Sequence, residues 1–237
     1  MQRIFTFASL FKWFNNIIMK TIRGFLSFVL FLSLAATALG QRKISEMTLV
    51  YDAVVSTGSA DPKLADAFDG ATTTVYISGP LSRSEMVSAL FTSTTIHDSK
   101  TGSAVVLREV SGQKLLIRLT PADWADKNKR YNGITFTNTD ETKVIAGYTT
   151  TKAIAKTADG STFTVYYTKD IIPENKEYDY QFRSLPGLPL EYEMVRGNLR
   201  IKYTVSQINL NPVPASKFDV PKTGYREMTY QESKKVN

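Results

Sequence analysis

A mainly β fold of the α+β type, an antiparallel sheet with one or two short helices, is what this 237-residue sequence predicts. Three observations predict it. Apolar and polar residues alternate with period two over many short stretches, as in strands buried on one face and wetted on the other. Turn residues separate several of those stretches at hairpin spacing. Helical patterning is scarce, and threonine, a strand-favouring residue, is frequent throughout.

The first 40 residues are set apart as a leader. They hold Arg3, Lys12, Lys20 and Arg23 and no acidic residue, whereas the chain carries 29 basic and 22 acidic residues in all. Beyond Gly40 there remain 25 basic against 22 acidic, so the net charge of +7 falls to +3. Nucleic acid as a partner loses its main support there. Met19–Arg23 form a basic n-region, Gly24–Leu34 an apolar h-region, and Ala38-Leu39-Gly40 a small-residue site before Gln41. That layout predicts a secretory signal at 19–40, cleaved near Gly40. The competing reading, a membrane anchor, needs about 18 apolar residues, and Gly24–Leu39 supplies 16 before Gln41-Arg42-Lys43 ends the run. Residues 1–18 read as a start assigned upstream of Met19, with an amphipathic membrane-surface segment as the alternative. Residues 41–237 are then expected as a single β-rich domain, periplasmic or secreted, touching membranes only transiently or peripherally.

Within that domain, Leu115, Ile117 and Leu119 alternate with Lys114, Leu116 and Arg118. Phe163, Val165 and Tyr167 alternate with Thr162, Thr164, Tyr166 and Thr168, and Leu190, Tyr192 and Met194 with Glu191 and Glu193. Leu199, Ile201, Tyr203 and Val205 alternate with Arg200, Lys202, Thr204 and Ser206. Ser111-Gly112, Asp159-Gly160 and Gly197-Asn198 stand where hairpin turns belong. Thr120-Pro121-Ala122-Asp123 is a helix start, with a capping threonine, proline at the first helical position and an acid in the first turn. It predicts a helix from Pro121 to about Lys129, and Pro62–Phe68 reads as a further turn or two of helix.

Leu185-Pro186-Gly187-Leu188-Pro189 puts two prolines around a glycine. Pro186-Gly187 suits the centre of a type II turn, with positive φ at the glycine, and Pro189 suits a strand start or edge. The segment is expected as a rigid turn whose two leucines face a cavity mouth or serve the core. Phe182–Tyr192 as a whole resembles the motif of the GLPGLI family, secreted bacterial β-rich proteins of undefined activity. Lys143–Tyr148 with Thr151–Ala153, and Val165–Pro173, resemble that family's neighbouring strands in order and spacing, so the resemblance covers residues 130–237. Ser184 and Pro189 depart from the named string. Related domains are similar to the lipoprotein-carrier (LolA-like) fold, which implies a curved antiparallel sheet forming an open half-barrel around an apolar cavity. Thr73–Gly79 and Arg83–Met86 suit its opening hairpin.

Chemistry is sparse. There is no cysteine and one histidine, His97, which excludes thiol nucleophiles, cysteine-based zinc sites and any reaction needing two histidines. His97 next to Asp98 reads as a surface turn histidine, since adjacent residues of an extended segment face opposite ways. Glu191 and Glu193 read as the wet face of a strand. No catalytic residue, metal ligand or cofactor is assigned, and an enzyme is not expected. Seven of the 13 phenylalanines fall in the leader, while all 12 tyrosines lie beyond it. Tyrosine can contact an apolar chain and keep its hydroxyl wet, so Tyr166, Tyr180, Tyr192 and Tyr203 join Leu185 and Leu188 as candidate ligand-binding residues. The resemblance implies a cell-envelope module that binds an apolar ligand, a lipid or the acyl chain of a lipoprotein. The alternative is a structural partner of an outer-membrane protein complex, docking through a sheet edge or its Pro-Gly turn.

Overall fold

A computed structural model describes residues 42–57, 68–196 and 199–235. The leader and most of Pro62–Phe68 therefore lie outside the described residues, and Arg42–Asn237 is one compact unit. In chain order its strands are β1 (Arg42–Ile44), β2 (Glu46–Thr57), β3 (Thr72–Ser78), β4 (Leu81–Val87), β5 (Phe91–Asp98), β6 (Ala104–Val110) and β7 (Gln113–Leu119). Helix α1 (Pro121–Asn128) follows, then β8 (Thr135–Ile145), β9 (Tyr148–Lys156), β10 (Thr162–Thr168), β11 (Ile171–Pro173), β12 (Leu188–Arg196), β13 (Leu199–Asn209), β14 (Arg226–Thr229) and α2 (Tyr230–Lys235).

Twelve strands form one curved, open sheet in the order β14-β7-β6-β5-β4-β3-β2-β13-β12-β10-β9-β8. It is mainly β and half-barrel-like, as the alternation and the resemblance imply. Two antiparallel meanders meet where β2 pairs β13, from Leu199↔Thr57 to Asn209↔Thr48. The short β1 pairs β11 in parallel, and β14 runs parallel to β7 at one edge.

Local chemistry explains the connections. Ser111 and Gly112 both take positive φ (50° and 78°) between β6 and β7, the geometry that two-residue hairpins favour. Gly160 (φ 85°) turns β9 into β10. Arg196 pairs Leu199, and Gly197-Asn198 between them lie outside the described residues. Thr120 caps α1 by accepting from the Asp123 N–H, while the Asp123 carboxylate accepts from the Thr120 N–H, a complete capping box.

The main core lies on the concave face where the meanders meet: Met47, Leu49, Tyr51 and Ala53 of β2, Val75 and Ile77 of β3, Leu188 and Leu190 of β12, Ile201, Tyr203 and Val205 of β13. The convex face is partly covered too. After β13 the chain returns across it, setting Val213 and Phe218 on Ile96 beside Tyr76, Leu81 and Val220. Arg83 donates to the Lys217 carbonyl (3.1 Å), and the Tyr225 hydroxyl bonds Glu109. One expectation is corrected on this face. Leu116, grouped in sequence with solvent-facing Lys114 and Arg118, is 1% exposed and pairs Leu107, which is also buried. A period-two pattern marks only the face a strand buries by itself and is blind to a second cover arriving from distant sequence.

Candidate functional site

Residues 174–187, which end in the proline-glycine segment, build the cover of the concave face. After β11, Asn175 caps a 3₁₀ turn over Lys176–Tyr178 and donates through Nδ2 to the Pro80 carbonyl (3.0 Å). Asp179 caps a second 3₁₀ turn over Tyr180–Phe182, its Oδ1 accepting from the Gln181 N–H (3.0 Å). Phe182 and Leu185 then pack with Ala153, Val165 and Tyr167. Leu185 and Leu188 are 1% and 0% exposed, so both are core residues in this structure, and neither forms an exposed apolar patch. Pro186 is exposed, and Pro189, the second residue of β12, is buried with its carbonyl accepting from the Tyr51 hydroxyl (2.8 Å).

Gly187 is needed for a different reason from the one its sequence suggests. Its φ is not positive, so the type II turn is not formed. A Cβ placed there would stand 2.0 Å from the Thr168 carbonyl oxygen and 3.0 Å from the Tyr167 ring. Close backbone approach, rather than left-handed geometry, requires glycine.

Beneath this cover Tyr192 is the hub of an aromatic cluster. Its ring lies 4.9 Å from Phe182, 5.8 Å from Tyr51 and 5.0 Å from Tyr203, stacked on the last and edge-on to the others. Tyr203 is buried and Tyr192 half-buried. Of the tyrosines picked from sequence, these two share the concave face. Tyr180 turns away to Asn132 (2.9 Å) and stacks under Arg183 (4.0 Å). Tyr166, 7% exposed and part of the main buried cluster, lies on the other side of β10 from Val165, bonded to Glu141 with Lys143 over its ring (3.7 Å), in a charged ladder where Lys143 pairs Glu191 (2.7 Å) and Lys152 pairs Glu141 (2.6 Å).

Sequence reading misses Tyr51, Tyr178, Asp179 and Phe182. Tyr51 is legible in the Met47-Leu49-Tyr51-Ala53 alternation; for Asp179 no local signal exists. Asp179 is half-buried, and burial pushes its carboxyl up to about 6 against the single opposing Gln181 N–H. Its charge reaches Tyr51, Tyr178 and Tyr192, whose hydroxyls are raised first by burial and then by this neighbour or by one another. The Tyr178 hydroxyl is buried with no hydrogen-bond partner among the described residues.

Toward β4–β6 the same face stays open. Ser84, Met86, Ser93, Thr95 and Arg108 are only half-buried, and Met86, Phe91, Val55 and Met194 fringe the main core. An open cleft of about 230 Å³ lies between this face and the helices, lined by Val106, Arg108, Ile117 and Leu119 of the sheet and by Asp126, Lys127, Lys129, Tyr230, Ser233 and Lys234 opposite. His97 corrects the surface-turn expectation. It is 3% exposed, faces inward beside Ser82 and Ala104, and stacks on Trp124 of α1 at 4.5 Å. Burial lowers its pKa, against Asp98 and the Glu177 carbonyl. Its neighbour Asp98 faces the other way, as strand parity requires, and only the exposure differs from expectation. Among the described residues no group of three or more His, Asp or Glu side chains could hold a metal ion.

No family model matches the chain, and no curated protein does. Solved structures it is similar to include PNGF-II (13% identity, TM-score 0.49, covering 81% of this chain and 33% of that one). An uncharacterized conserved protein from Thermus thermophilus is similar at 10% identity and TM-score 0.45, over 78% of this chain and 90% of that one. A LolA superfamily protein from Nitrosomonas europaea is similar at 12% identity and TM-score 0.38, over 80% and 97%. The chain spans about a third of the length of the PNGF-II chain.

Proposed function

We propose that this is an exported cell-envelope module that holds an apolar ligand, a lipid or a lipoprotein acyl chain, on the concave face of its open sheet. The observation that carries this reading is the unfilled stretch of that face, where Met86, Phe91, Val55 and Met194 remain half-buried at the border of a complete core. Leaving apolar side chains partly wet costs about 25 cal/mol per Å², and an aliphatic chain lying in the trough removes that cost. The signal layout at 19–40 supports export, and no described helix is long and apolar enough to cross a membrane. The role is binding rather than catalysis. The charged groups at the cleft, Asp126 with Lys129 (3.1 Å) and Lys234 (2.6 Å), are held in ion pairs on the side of the helices.

Native mass spectrometry of the protein purified from an exporting host, with organic extraction, tests this. A discrete added mass that extracts as lipid is the expected result. A clean mass, with no uptake of an added long-chain alcohol, overturns it.

A further inference from the structure

The cleft between the sheet and the helices has an apolar floor and a basic rim. Val106, Ile117 and Leu119, all buried, make the floor. Among the described residues lining it, Arg108, Lys127, Lys129 and Lys234 are basic and Asp126 alone is acidic. That carboxylate is shared: Lys129 and Lys234 both donate to it, at 3.1 and 2.6 Å, and so does the Tyr230 hydroxyl, at 3.1 Å. One negative charge between two ammonium groups leaves a positive charge over, and Arg108 from β6 and Lys127 from α1 add to it. On the other side of Tyr230 the balance reverses. A cleft of about 400 Å³ is lined there by Asp123, Glu227 and Glu232, against Arg118. Charges of one sign gathered over low-dielectric walls focus the field and draw in an ion of the opposite sign, so the two clefts select opposite charges. A second observation ties the basic cleft to the open trough. Arg108, half-buried, stands opposite Ser93, which stands opposite Met86. One cross-strand row of the concave face therefore runs from the apolar fringe to the guanidinium, about 10 Å at two strand spacings, well within the length of an alkyl chain.

From this geometry we infer that the basic cleft holds an anionic head, a carboxylate or a phosphate, on the amphiphile whose tail lies in the trough, with Arg108 at the junction of the two. This rests on the apolar-ligand reading and adds the chemistry of the head. The guanidinium supplies a fork that matches two oxygens of a carboxylate or phosphate. Lys127, Lys129 and Lys234 supply charge from the helix side, and Met86 and Phe91 take the tail.

The test is calorimetric titration at pH 7.5 with dodecyl phosphate, dodecanoate, dodecanol, dodecyltrimethylammonium and inorganic phosphate, the amphiphiles below their micelle concentrations. The proteins are wild type, Arg108→Gln and the double variant Lys127→Gln/Lys129→Gln. The expected result is about tenfold tighter binding of the two anionic amphiphiles than of dodecanol, a factor within reach of charge-assisted hydrogen bonds. That advantage should shrink at high salt and fall about threefold or more in each variant. The tighter of the two anions then identifies the source of the head, fatty acid or phosphate-bearing lipid. Equal binding of anion and alcohol by wild type, or a preference for dodecyltrimethylammonium, overturns the head-group inference and leaves the apolar site standing. An anion preference unchanged in both variants overturns the assignment to this cleft. Inorganic phosphate bound as tightly as dodecyl phosphate means an anion site without a tail and overturns the amphiphile. Failure of every dodecyl probe to bind removes the apolar-ligand reading, and this inference with it. Should Arg108→Gln not fold, the double variant, changed only at exposed positions, carries the assignment by itself.

Discussion

One sheet serves two regions of different character. Where β2, β3, β12 and β13 meet, large apolar side chains fill the concave face and residues 174–187 seal it. Across β4–β6 the same face carries Ser84, Ser93, Thr95 and Arg108, and is left partly open under α1. Both regions have the same hydrogen-bonded ladder, so backbone pairing does not distinguish them. Side-chain volume and the presence of a cover do. The sealed region carries the stability, which allows the open one to stay underpacked and available to a ligand.

The sharpest way to break this comparison is at Gly187. Alanine there meets backbone 2.0 Å away, and overpacking against an atom that cannot move should cost about 4 kcal/mol or more, seen as loss of folding in denaturant titration. Gly112→Ala at the open region's hairpin has no atom within 4 Å of the added carbon and should cost only the strain of a positive φ, about 1 kcal/mol. Next in size, Leu188→Ala, at a fully buried site, should lose about 2–5 kcal/mol. Met86→Ala in the open region should lose under about 1.5 kcal/mol, because the half-exposed site leaves little cavity. Equal losses would erase the distinction.

Titration sharpens it further, since the two regions hold groups of opposite sign. Asp179 in the cover has its pKa raised to about 6 from 3.8. The folded state then binds the extra proton, and its contribution to stability is full below about pH 4 and lost as pH rises through 6. His97 under α1 has a lowered pKa, so the unfolded state binds the proton, and stability is lost as pH falls below about 6.5. Denaturant midpoints from pH 4 to 8 in Asp179→Asn should lose the falling limb around pH 6 and keep the rising ones, the histidine's among them, and at pH 7.5 that variant should be more stable than wild type by on the order of 1–2 kcal/mol. A less stable variant would mean that the charge serves the fold. The smallest effect belongs to the β8–β9 turn, where Ala146 sits at φ 49°. Ala146→Gly should raise stability by up to about 1 kcal/mol, read as a small upward shift of the melting temperature.

Much of this architecture is legible in the chain. The Ser111-Gly112 and Gly160 turns, the Thr120 capping box and period-two alternation are local, and each stands at its predicted place. Pairs held by distant chain are not legible. Leu116 lies on the face crossed by a strap from beyond residue 210, His97 is covered by a helix 24 residues later, and Gly187 is constrained by the carbonyl of Thr168 on a neighbouring strand. The site shows the same divide. Tyr192 and Tyr203 follow from alternation, and the same alternation sets Tyr166 with Thr164 and Thr168 on the opposite face, where it pairs Glu191. Asp179 resembles any loop aspartate until the cover folds it against Tyr51, 128 positions earlier.

The measurement that bears most directly on the open concave face is photocrosslinking with a diazirine-bearing long-chain alcohol, followed by peptide mapping. Adducts should concentrate on Met86, Phe91 and Met194, and be competed away by unlabelled alcohol. The convex face offers its own exposed apolar residues, Val54 and Val195, at 54% and 49% exposure. Adducts spread over those two as heavily as over the concave trio, and not competed, would contradict the account.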